Sequence, residues 1–191
     1  MKKLAKLTSL LLAGIMALAM LTACGGTPGA AEAEALGKQY TAQALAILNE
    51  YRATQNTEQT PYPQLDNDPE LLALAEERLK LIGQDGKIAA GDTWHTKVEG
   101  NVILDARVML EPLGPGEMGD VTERYPALAL TEQRLAELNT TKEFGGNLPL
   151  ASQKMLKITK VAFAYRVVGG KAYVAMAFVA PKSKNVLETH P

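Results

Sequence analysis

Two histidines, one cysteine and one tryptophan are the scarce chemistry-bearing side chains of this 191-residue chain, and two of the four are neighbours, Trp94-His95. An imidazole beside an indole can contact a ligand in a cavity wall or simply line that wall with its hydrogen bonds satisfied, and both roles stay open for His95. His190 falls in a charged tail, where no role is assigned to it. A zinc centre wants three or four N, S or O donors, and a lone cysteine excludes both a cysteine cluster and an internal disulfide. A serine hydrolase of the elbow type needs Gly-x-Ser-x-Gly, which does not occur, so Ser152 paired with His95 is the weakest hydrolytic arrangement. No metal and no cofactor is expected.

Cys24 carries a different chemistry. Lys2, Lys3 and Lys6 precede an apolar run from Leu10 to Leu21, which ends in Leu21-Thr22-Ala23-Cys24-Gly25, a secretory signal with a lipobox. The run is shorter than the roughly 20 residues of a comfortable membrane span. Processing would leave Cys24 as the first residue, carrying acyl chains, and more than one chain gives lasting attachment. The expected location is the outer face of a bacterial cell membrane, with the bilayer as partner. The net charge is −1, and the signal stretch holds three Lys and no acid, so the rest is acidic on balance and has no basic run suited to nucleic acid.

The length suits one domain. The expected division is a signal over 1–23, the lipidated cysteine and a flexible Gly, Ala, Pro and Glu tether over 24–37, a domain over 38–181 and a polar tail over 182–191. Tyr40, Ala44, Ile47, Leu48 and Tyr51 make a helical stripe between Gln39 and Gln55. Asn56 to Gln64, with Pro61 and Pro63, reads as an extended crossing. Asp68 is placed as an N-cap and Pro69 at the first helical position, followed by Leu71, Ala75, Leu79 and Ile82 at helical spacing, with Gly83 to stop the helix. Glu76, Glu77, Arg78 and Lys80 cover its outer side. Gly83 to Asp92 and Pro112 to Gly119 read as loops, and Val102 to Leu110 as a short helix through positions 104, 108 and 109. A further helix is expected from Thr131 to Phe144, with Leu135 and Leu138 inward and Gly145-Gly146 as its end.

The clearest β signal comes last. Thr159 to Val168 and Lys171 to Ala180 flank Gly169-Gly170, which implies a tight hairpin. In that register Val161, Phe163 and Tyr165 face Phe178, Met176 and Val174, while Ala162, Ala164, Ala175 and Ala177 occupy the other side. A sheet apolar on both faces needs cover on both, so the hairpin alone implies an α/β fold of three-layer α/β/α type.

The helix carrying Asn49-Glu50-Tyr51-Arg52, the Asp68-Pro69 helix start, Trp94-His95 and Gly116-Glu117-Met118 together resemble the CAP superfamily of cysteine-rich secretory proteins, antigen 5 and pathogenesis-related proteins. Gly116-Glu117-Met118 resembles its Gly-Glu-Asn motif, and Pro149 to Leu156 its Gly-His-Arg-Ala-Asn-Ile-Leu stretch. The resemblance implies a CAP-type sandwich with a C-terminal antiparallel hairpin and a central cavity of two histidines and two acids, which in some members binds a divalent metal. His95 would match the first histidine and Glu117 the first acid. The second histidine falls on Ala151, and the second acid is open among Glu132, Glu137 and Glu143. With the second histidine replaced by Ala151 and the second acid open, metal binding is not expected, and Trp94, His95 and Glu117 are expected to line a ligand cavity.

The expected function is a cell-surface, non-enzymatic binding module for a lipid, glycan or peptide of the envelope. A degraded or metal-independent hydrolase acting on envelope material, and a protein-interaction module with a vestigial cavity, are the alternatives.

Overall fold

The computed structural model describes residues 29–89, 94–99, 102–111 and 124–181, with 94–99 and 124 described in their backbone only. Cys24, Glu117 and the tail lie outside the described residues.

The first helix, α1, spans Ala30–Gln55. The expected tether therefore does not extend over 30–37. Those residues are chiefly Ala, Glu and Leu, which form helix readily, and they lack the Gly and Pro that would loosen a linker. They also have a packing role: Ala33 is buried and Leu36 packs on the core. Gly37 is buried against the Tyr165 ring, and a Cβ there would run into that ring. Small residues on this stripe let α1 lie close to the sheet, so residues from Ala33 onward already pack on the core.

Two side chains of α1 hold the crossing that follows. Asn49 donates to the Leu65 carbonyl at 2.8 Å and accepts from the Leu65 amide at 2.9 Å. Arg52, buried at 3 % exposure, donates to the carbonyls of Pro63, Met155, Leu156 and Ile158. A buried guanidinium is tolerated because backbone oxygens replace its lost water. The second helix, α2 (Pro69–Leu79), starts as expected: the Asp68 carboxylate accepts from the amides of Glu70 and Leu71, and Pro69 opens the first turn. Leu71, Ala75, Leu79 and Ile82 are buried, but the helix closes at Leu79, ahead of Gly83.

Strands β1 (Lys87–Ala89), β2 (Trp94–Glu99) and β3 (Val102–Val108) come next, then β4 (Arg124–Pro126). The short helix expected over 102–110 is not formed. Val102 to Val108 is a strand paired antiparallel with β2 on one side and with β8 on the other, and its alternate residues Leu104, Ala106 and Val108 pack in one apolar cluster. After α3 (Glu132–Thr141), which is capped by the Thr131 hydroxyl and buries Leu135 and Leu138, Lys142 takes the left-handed conformation and ends the helix before the two glycines. Two short strands, β5 (Glu143–Phe144) and β6 (Leu148–Pro149), and the four-residue helix α4 (Gln153–Leu156) lead to the hairpin of β7 (Lys160–Val168) and β8 (Lys171–Pro181).

The hairpin has the expected register, with Val161 opposite Phe178, Phe163 opposite Met176 and Tyr165 opposite Val174. Gly169 and Gly170 both have positive φ, 57° and 75°, as a turn matching the strands' twist requires. The four-stranded antiparallel sheet runs β2-β3-β8-β7. Val161, Phe163, Val174 and Met176 pack with α1 and α3 in one cluster, while Ala162, Ala164, Ala175 and Ala177 pack with α2 in the other. Helices thus pack on either face of the sheet.

Candidate functional site

The expected cavity residues are distributed unevenly. Trp94 and His95 are consecutive in β2, where their backbones pair with Arg107 and Ala106 of β3. Glu117 lies outside the described residues. Ala151 is exposed in the bend between β6 and α4, near the C-terminal end of α1, where Arg52 reaches Met155. Glu132 is exposed in the first turn of α3, and Glu137 accepts from Gln133 along the same helix. Among the described residues no group of three His, Cys, Asp or Glu could hold a metal ion.

A polar centre that the sequence reading did not nominate lies beside Trp94 and Thr96. Asp105, on β3 opposite Thr96, is 5 % exposed. Its Oδ2 accepts from Arg107 Nε at 3.0 Å and from Arg107 Nη2 at 2.8 Å, so both donors of one guanidinium edge converge on one oxygen. Its Oδ1 is buried and has no hydrogen-bond partner among the described residues. The Arg107 guanidinium also lies over the Phe178 ring, 5.9 Å from its centroid, on the neighbouring strand β8. Strand geometry gathers these groups, because residues two apart share a face and residues paired across strands stand side by side.

The arrangement has a definite chemical capacity. A buried carboxylate oxygen without a donor is costly to leave in that state, and an incoming hydroxyl or amide N–H would restore the bond. The pair itself is formally neutral, so it offers a divalent cation little net attraction, whereas a neutral donor fits. Asp105 and Arg107 could have been seen in the sequence as two charges at a spacing of two inside the apolar run Val102 to Leu110. The helix reading hid that signal.

A second polar cluster marks the outer strand of the sheet. Tyr165 on β7 donates to Glu34 of α1 at 2.6 Å. Burial, with this carboxylate close by, pushes the Tyr165 phenol up to about 12. At the start of β7 Lys160 meets Asp68 at 2.9 Å, and its hydrogen bond, followed by the amides of the α2 first turn, holds the Asp68 carboxyl below its usual range.

No family model, no curated protein and no solved structure matches this chain.

Proposed function

We propose that this chain is a cell-surface lipoprotein, anchored through Cys24, whose domain is a CAP-type three-layer sandwich acting as a non-enzymatic binding module for a glycan or peptide of the envelope. Helices on both faces of an antiparallel sheet that ends in a β-hairpin fit such a sandwich. So does the hold of Asn49 and Arg52 on the crossing, since these residues belong to the helix that carries the resemblance.

The observation that carries the functional reading is the buried Oδ1 of Asp105, which has no partner among the described residues, beside the Arg107–Phe178 contact. Few convergent polar groups against an apolar or aromatic wall are the usual make-up of a small-molecule site. An acceptor waiting for a donor favours hydroxyl-rich or amide-bearing ligands over a purely apolar lipid chain. Trp94 and Thr96 stand in register with Arg107 and Asp105, so the strand expected to line the cavity borders this centre.

The test is native mass spectrometry of the chain purified from envelopes in mild detergent, compared with Asp105→Asn. The substitution keeps the side-chain shape and replaces an acceptor oxygen with a donor amide. A glycan or peptide co-purifying with the parent chain and absent from the variant is the expected result. A ligand retained equally by both, or none in either, contradicts the reading.

A further inference from the structure

Strand β7 forms one edge of the sheet, and the chain itself uses only part of that edge. The Asp68 amide donates to the Val161 carbonyl at 2.8 Å, and the Asn67 side-chain oxygen accepts from the Phe163 amide at 2.9 Å. Asn67 thereby runs parallel to Val161 for a single bridge, after which Pro69 turns the chain away into α2. Because a residue's amide and carbonyl point to the same side of a strand, the outward set on β7 is Val161, Phe163, Tyr165 and Val167. The backbone groups of Tyr165 and Val167 face away from β8 and have no partner among the described residues.

This open half of the edge is the floor of a groove of about 420 Å³. Glu34 and Thr41 of α1 stand on one side, and Leu72 and Glu76 of α2 on the other, with Asn67 among the lining residues. An unprotected strand edge is a template for a further strand, and proteins ordinarily blunt or cover it. Here it is flanked rather than covered.

We propose that the Tyr165–Val167 edge of β7 binds an extended peptide segment with basic side chains as an added strand of the sheet. The flanking helices decide against a second copy of this chain, which would bring its own helix-flanked edge into the same space. A lone strand enters between the walls, takes its main-chain bonds from Tyr165 and Val167, and sends alternate side chains toward α1 and α2. Charge selects among such segments. Arg166 also lines the groove, but its guanidinium donates to the Leu79 carbonyl at 2.9 Å. Glu76 is exposed and forms no ion pair among the described residues, and Glu34 shares its charge with Lys38 at 3.5 Å, so two carboxylates face one such committed cation and the walls favour Lys or Arg. This edge is separated from Asp105 by the whole of β8, so the two sites stand or fall independently.

Amide hydrogen exchange of the full chain in detergent, with and without a peptide repeating Lys-Lys-Val-Val, which carries Lys on both faces of a strand, tests the proposal. Without peptide, the Tyr165 and Val167 amides should exchange much faster than those of Ala164 and Arg166, which face β8. With peptide they should slow about tenfold or more, Glu76→Lys should weaken binding about tenfold, and N-methylation of the peptide amides that face β7 should abolish it. Absence of binding, binding that leaves the two amides unprotected, or their protection in the peptide-free chain, by a dimer or otherwise, would overturn the proposal.

Discussion

At the residue scale, the polar groups that matter most to the fold are the ones removed from water. Arg52 satisfies four backbone carbonyls from two separate stretches of chain, Pro63 in the crossing and Met155 to Ile158, so its loss leaves buried acceptors unpaired. Arg52→Met should cost about 3 kcal/mol in denaturant unfolding, since each buried unsatisfied group costs on the order of 1–3 kcal/mol; a cost below about 1 kcal/mol would mean that water replaces the guanidinium. The sequence named this arginine only through a family resemblance, because nothing in its local spacing announces acceptors more than a hundred residues away. Tyr165 gives a pH-dependent signature. Its folded-state phenol holds its proton to about 12, whereas in the unfolded chain it ionises near 10. Below pH 10 both states are protonated and the group contributes no slope. Between about 10 and 12 the unfolded state gives up its proton first, so stability should fall as pH rises, and Tyr165→Phe should flatten that part of the unfolding-versus-pH curve.

At the scale of elements, the hairpin was legible and β3 was not, for one geometric reason. Residues four apart share a face in a strand and nearly do so in a helix, so Leu104 and Val108 satisfy both periods. Ala106 between them decides for the strand, and alanine is too small and too helix-prone to announce it. Around Gly169-Gly170 the alternation extends through both arms, and no helical period fits it. Phe163 is 2 % exposed and its ring lies tilted 5.2 Å from that of Phe144, which also meets Tyr40 at 5.6 Å. Phe163→Ala should therefore cost about 3–5 kcal/mol, measured by equilibrium unfolding. A loss below about 1 kcal/mol would deny the hairpin a central place in the core. At the start of α2, Asp68→Ala should cost about 1 kcal/mol through the lost cap. The boundary of α1 was the largest misjudgement among the elements, because a run of Ala and Glu has too little apolar bulk to announce a core face, although Ala33 and Gly37 supply one by being small.

At the scale of the whole molecule, the mixture of helices with an antiparallel sheet was readable from the sequence, and the two apolar faces of one hairpin announced that helices would pack on it. The polar centre was not, since it depends on β3 lying between β2 and β8. The lipid anchor proposed at Cys24 belongs to this scale too: Cys24→Ser should abolish labelling by radioactive palmitate and leave the precursor uncleaved, and normal labelling would refute it. The central claim is that the β2–β3 end of the sheet holds an envelope glycan or peptide through Asp105. Its most direct test uses the chain's only tryptophan, Trp94, whose backbone pairs with Arg107. Titration of the purified chain with soluble peptidoglycan fragments should change Trp94 fluorescence saturably, and the change should vanish in Asp105→Asn with the circular dichroism spectrum unaltered. No saturable change in the parent chain, or the same titration curve in both proteins, would contradict it.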